Sequence, residues 1–178
     1  MGLERRVSYI ATARTYGREM ASRIEKHRTR RPADWTTIEA PLDLKAAVAA
    51  VGAETNAVMV ECLYVWASNR LLGLGDSAAD DWAARVEALE KELVAETRAL
   101  MKTGRDAAWD LVLVTSEVGL GSVPEKRRPR AFRDLLGRVN RTAADDADEV
   151  YLVAVGLPLA LKGPATARGP VVLPSGGR

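Results

Sequence analysis

Apolar positions recur along this chain in two rhythms, short uninterrupted runs and longer stretches spaced by three and four, and their alternation predicts strands separated by helices. Residues 7–13 read Val-Ser-Tyr-Ile-Ala-Thr-Ala, which predicts a buried strand ending near Ala11 and running into a loop. Residues 18–29 carry Met20 and Ile24 at helical spacing amid charge, and Pro32 closes that segment. Residues 35–39 suit a short second strand, and Pro41 and Asp43 then open an alanine-rich helix over 44–51. Residues 57–60 are wholly apolar and end on Glu61, the pattern of a central parallel strand that delivers a carboxylate at its carboxyl end. A helix over 62–72 is stopped by Gly73 and Gly75.

A long amphipathic helix follows over 80–103, with Trp82, Val86, Leu89, Leu93, Val94 and Leu100 on one face. Residues 111–115 form another all-apolar strand, and its exit loop over 116–121 contains Ser116, Glu117 and two glycines. A basic, proline-interrupted patch over 126–130 precedes a helix over 131–143 that turns Phe132, Leu135, Leu136 and Val139 to one side. An acidic turn over 145–149 leads into the last clear strand, 150–155. The expected fold is α/β: a mostly parallel sheet with helices on both faces, in one domain over residues 1–162. The Gly, Pro and Ala content of 163–178 predicts a flexible tail.

Composition narrows the function classes. With 26 basic and 24 acidic residues the net charge is +2, which disfavours a protein that coats nucleic acid. The lone Cys62 permits no internal disulfide, and the start lacks a signal-peptide pattern, so a cytoplasmic location is expected. No apolar run is long enough for a membrane span.

The densest positive charge lies over residues 23–35 and encloses the only histidine, His27. A neutral imidazole is a nucleophile near neutral pH, and guanidinium groups hold and neutralise phosphates, so the combination points to attack on phosphorus. The plain alternative is a solvated surface histidine. Glu61 at a strand end is where nucleotide-binding enzymes hold Mg²⁺ or its water, although many buried strands simply end in an acid. The loop at 11–13, Glu61 and the loop around Glu117 are all expected at the carboxyl edge of the sheet.

Taken in order, these segments resemble the bifunctional adenosylcobinamide kinase and adenosylcobinamide-phosphate guanylyltransferase family of cobalamin synthesis. The resemblance runs from Val7 to about Lys162, through Tyr9-Ile10-Ala11-Thr12-Ala13, His27-Arg28, Arg31-Pro32, Trp35 and Glu39. It continues through Val60-Glu61-Cys62-Leu63, Trp66, Asn69, Glu117-Val118-Gly119, Phe132-Arg133-Asp134, Gly137-Arg138 and Asn140. It implies a P-loop NTPase-like fold. It also implies phosphorylation of adenosylcobinamide and transfer of GMP from GTP to adenosylcobinamide phosphate, with GTP, ATP and Mg²⁺ as cofactors and a possible homo-oligomer. By the same resemblance His27 carries GMP covalently. Nucleotide contacts fall on Ala11, Thr12 and Ala13, on Arg28, Thr29, Arg30 and Arg31, on Glu39, and on Glu61, which is also the metal position. Relatives often have Asp where Glu61 stands and Asn where Ser116 stands.

Relatives begin with a further strand, a glycine-rich loop ending Gly-Lys-Ser, and a helix, a unit of roughly 30 residues. No Gly-x-x-x-x-Gly-Lys-Ser/Thr occurs in this sequence. The expected explanation is a misassigned start with the segment encoded just upstream, ahead of supply by another chain or a degenerate remnant. Two functional readings therefore stand, an active enzyme and a catalytically inactive truncated homologue or scaffold subunit. An RNA-binding surface built on the arginine clusters ranks last, because interleaved aromatics are lacking.

Overall fold

The computed structural model describes residues 6–15 and 17–163. Four parallel strands form its sheet: β1 (Val7–Ala11), β2 (Thr36–Glu39), β3 (Ala57–Glu61) and β4 (Asp110–Val114). They lie in the order β2-β1-β3-β4. Apolar runs largely buried on both faces place β1 and β3 at the centre, where Ile10, Val58 and Val60 are each fully buried, while β2 and β4 are more exposed at the edges. Helices α1 (Gly17–Thr29) and α2 (Leu44–Ala49) each follow one strand, α3 (Leu63–Leu72) and α4 (Trp82–Asp106) both lie between β3 and β4, and α5 (Arg127–Asp146) follows β4. Asp43 caps α2, its carboxylate accepting from the Ala46 amide at 2.8 Å.

The core gathers where α3, α4 and α5 meet the sheet, around Leu63, Trp66, Leu93, Leu135, Leu136 and Val139. Trp66 donates from its indole nitrogen to the Leu42 carbonyl at 3.0 Å, so its one polar atom is satisfied in the interior. Tyr64 meets Phe132 edge-to-face, with centroids 5.0 Å apart. No described helix is long and apolar enough to cross a membrane.

Two expectations need correction. The helix expected over 131–143 begins at Arg127, so most of the basic patch and Pro129 belong to its first turn. Proline is tolerated there because the first four helical N–H groups have no partner within the helix. The strand expected over 150–155 is β5 (Val150–Ala154), and it does not join the parallel sheet among the described residues. It pairs antiparallel with β6 (Leu157–Lys162) across Val155 and Gly156, both at positive φ, as a two-residue hairpin turn of the tight type requires. Lys162 then ties this hairpin to the end of α5, donating to the carbonyls of Ala144 and Asp145 at 3.0 and 2.9 Å. Of the segment read as a tail, all but Gly163 lies outside the described residues.

Register decides what the sheet can do. Ala11 is level with Glu39 on one side and Glu61 on the other, and Glu61 is level with Val114. The carboxyl edge therefore reads Glu39, Ala11, Glu61, Val114 in order. The chain leaves β1 toward β2 and leaves β3 toward β4, in opposite directions, so a crevice opens between the ends of β1 and β3. Crevices of this kind are where open α/β sheets bind ligands.

Candidate active site

Helix α1 ends in a basic turn, Lys26, His27 and Arg28, and this turn carries the imidazole back to the crevice. His27 Nδ1 lies 3.8 Å from Glu61 Oε1, with the imidazole more than half exposed. The other oxygen of Glu61 accepts from the Tyr9 hydroxyl. Tyr9 is level with Met59, so Glu61 is its diagonal neighbour two residues further along β3, within reach of a long side chain. The Arg31 guanidinium stacks over the Tyr9 ring, 3.6 Å from its centroid, and donates to Thr37 at 3.3 Å. Trp35 flanks the same ring at 6.2 Å. Histidine, carboxylate, phenol and guanidinium thus stand in one connected row.

Tyr9 is 3% exposed. Burial, the hydrogen bond to Glu61 and that carboxylate's charge, in that order, hold its phenol protonated well above the ordinary range, against a smaller pull from Arg31. A folded-state value above the unfolded one contributes stability that is complete below about pH 10 and lost as the pH rises beyond it. Chemical denaturation followed across that window should show a steep alkaline fall in the wild-type protein and a shallower one in Tyr9→Phe. Burial likewise pushes the Cys62 thiol above its ordinary value.

The loop after β1 is built from inside. Thr12 is fully buried, and its hydroxyl accepts from the Cys62 amide at 2.7 Å and donates to the Cys62 carbonyl at 2.9 Å. Its own amide donates to the Glu61 carbonyl, and Asn69 donates to its carbonyl at 2.9 Å. Asn69 also donates to the Pro41 carbonyl at 3.0 Å, so one buried amide holds two loops of the carboxyl edge together. Asn69→Ala would leave both carbonyls unpaired, and a loss of about 1–3 kcal/mol should appear in urea unfolding. With its polar groups spent internally, Thr12 shapes the loop, while Ala11 and Ala13 are only partly covered.

Of the residues singled out in the sequence, His27, Arg31 and Glu61 come together at the crevice, with Ala11 between Glu61 and Glu39 along the edge. Arg28 and Arg30 are exposed on the same turn, and Thr29 closes it by donating to the Lys26 carbonyl at 3.1 Å. Glu39 is exposed on the far side of β1, two strands from Glu61. Sequence reading missed Tyr9, Asn69 and Asn140 as supports. Asn140 accepts from Thr115 at 2.7 Å and donates to the Ser116 carbonyl at 3.0 Å, which braces the exit of β4. The spacing of Tyr9 and Ala11 along β1 was the available signal for the first of these.

A parallel sheet that gathers a histidine, a carboxylate and an arginine-rich turn at its carboxyl crevice is an α/β arrangement suited to holding a phosphorylated ligand. Comparison with known proteins makes this specific: the chain belongs to the cobinamide kinase / cobinamide phosphate guanyltransferase family, whose model matches residues 1–161. It is 40% identical over 159 residues to the bifunctional adenosylcobalamin biosynthesis protein CobU of Salmonella typhimurium, covering 88% of this chain and 86% of that protein. The CobU protein of Escherichia coli is 39% identical over 163 residues, covering 91% and 89%. The CobP protein of Pseudomonas aeruginosa, described as a bifunctional adenosylcobalamin biosynthesis protein, is 36% identical over 157 residues, covering 88% and 83%. The protein is accordingly a bifunctional enzyme of adenosylcobalamin biosynthesis, a cobinamide kinase and cobinamide phosphate guanylyltransferase.

Proposed function

We propose that His27 carries GMP between GTP and adenosylcobinamide phosphate, at a site of P-loop NTPase type. The observation that supports this most is the contact between His27 Nδ1 and the Glu61 carboxylate at the mouth of the crevice. A carboxylate facing Nδ1 favours the tautomer with its proton there, which leaves the Nε2 lone pair free to attack. Nε2 bonds to the α-phosphorus of GTP as the bond from that phosphorus to the bridging oxygen breaks and pyrophosphate leaves. Positive charge that develops on the ring is then offset by Glu61. A phosphate oxygen of adenosylcobinamide phosphate attacks the same phosphorus, the P–N bond breaks, and the imidazole is regenerated neutral.

Arg28, Arg30 and Arg31 line the approach and compensate charge on the phosphate oxygens. Arg31 has a buried Nε without a partner among the described residues, a donor left for an incoming acceptor. Mg²⁺ commonly takes one or two protein carboxylates together with substrate phosphates and water. Glu61 fits that demand, and no cluster of three acidic, histidine or cysteine groups occurs among the described residues. When bound there, the ion supplies neutralisation of the triphosphate. The phosphorylation of adenosylcobinamide, with ATP or GTP as donor, is assigned to the same edge.

Exchange of labelled pyrophosphate into GTP without any corrinoid tests the reading. A covalent carrier supports exchange in the absence of acceptor, whereas direct transfer requires the acceptor and gives none.

A further inference from the structure

A groove of about 840 Å³ runs between α4 and α5, outside the row formed by His27, Glu61, Tyr9 and Arg31. It begins at the β4 exit loop, where Glu117 and Gly119 line it. That loop leaves β4 beyond Val114, which is level with Glu61, so the groove starts three residues past the edge that holds His27, on the strand next to Glu61.

Two independent features mark it as built for a ligand. Gly137 lies inside the 20-residue helix α5 and lines the groove, and a Cβ added there would meet no atom within 4 Å. Glycine in a helix interior costs about 0.5–1 kcal/mol relative to alanine, and no neighbouring protein atom here requires it. Its effect is a flat stretch of helix on which a broad molecule can lie. The second feature is the wall chemistry. Trp82 and Val86 give an apolar strip, while Arg127, Arg130, Arg133, Arg138 and Arg141 stand with Glu87, Glu90, Glu117 and Asp134, Arg138 paired to Glu90 at 3.0 Å, so the wall mixes donors with acceptors. Arg133 donates to the Gly119 carbonyl at 2.9 Å and keeps a second guanidinium nitrogen buried without a partner among the described residues.

We infer that this groove is the corrinoid-binding site, seating the macrocycle of the acceptor on the Gly137 face of α5 with its phosphate directed toward His27. This rests on the guanylyl-carrier reading for the direction of the phosphate only. A corrinoid bears primary carboxamides around a broad ring, and each amide both donates and accepts, which is what a wall that mixes carboxylates with guanidiniums recognises. A simple polyanion would not call for the carboxylates.

The test is equilibrium dialysis of adenosylcobinamide phosphate, read by corrin absorbance in the dark, against wild type, Gly137→Ala and Gly137→Leu. Both substitutions improve helix propensity, so the thermal midpoint should hold or rise. Filling the groove with leucine should weaken corrinoid binding by about tenfold or more, with alanine intermediate, while GTP-dependent labelling of His27 is unchanged. Unchanged corrinoid affinity in Gly137→Leu, or no corrinoid binding by wild type, overturns the inference. So does a loss of GTP binding or a change in oligomeric state with corrinoid affinity intact. Absence of His27 labelling together with intact, groove-dependent corrinoid binding would sink the carrier reading and leave the groove standing.

Discussion

His27→Ala should abolish GMP transfer to adenosylcobinamide phosphate while leaving a folded protein. In the proposed mechanism the imidazole supplies the bond to phosphorus, so its loss removes the route itself, and a fall of roughly 10³-fold or more in kcat is expected. Folding should survive because His27 is exposed in the last turn of α1 and alanine has the best helix propensity. The kinase step provides an internal control. Phosphorylation of adenosylcobinamide needs no covalent nucleotide, so it should persist in the variant within about threefold. A parallel loss of both activities would mean that the histidine serves the architecture of the site and not one reaction.

Glu61→Gln should produce the second-largest effect, and one of a different kind. The substitution keeps the shape but removes the charge that faces Nδ1 of His27 and receives the Tyr9 hydroxyl. In the proposed mechanism the developing imidazolium then loses the negative charge that offsets it, so guanylylation should slow by about 10²-fold to 10³-fold, chiefly in kcat. The phenol supplies an independent signature. Loss of the neighbouring negative charge should move the Tyr9 ionisation downward toward its ordinary value, with burial still holding it above, and absorbance of tyrosinate during an alkaline titration reads this directly. A slowed reaction with no movement of the Tyr9 titration would show that Glu61 acts without the contact to Tyr9.

The two central strands, β1 and β3, were legible because each is largely buried on both faces and therefore reads as a nearly unbroken apolar run. Residues 57–60 ending on Glu61 matched β3, and the strand expected over 111–115 shifted by only one residue to become β4. The start of α5 was hidden because Pro129 reads as a breaker by itself, and its harmlessness depends on its position in the first turn. The β5 and β6 hairpin was hidden for another reason. Leu157, Leu159 and Leu161 do alternate, but Pro158 within so short a run argues against a strand, and the pairing is fixed by the Val155-Gly156 turn and the anchoring of Lys162 on α5.

The site followed the same division. The chemistry of His27, the arginines and Glu61 could be named from residue type and resemblance. Their meeting could not, because it depends on how α1 crosses from β1 to β2 and on the register that sets Glu61 level with Ala11. In the sequence Tyr9 is one more strand aromatic, and only the strand register brings its hydroxyl onto Glu61. Asn69 sits on the buried face of a mostly apolar helix, where its two loop contacts leave no periodic trace.

The most direct test of the carrier role is to incubate the protein with GTP labelled at the α-phosphate, digest it, and locate the label by mass spectrometry. The account predicts one GMP per chain, on the peptide containing His27, stable to alkali, labile to acid, and discharged by adenosylcobinamide phosphate. Label on any other residue, or efficient GMP transfer with His27 never labelled, would contradict it.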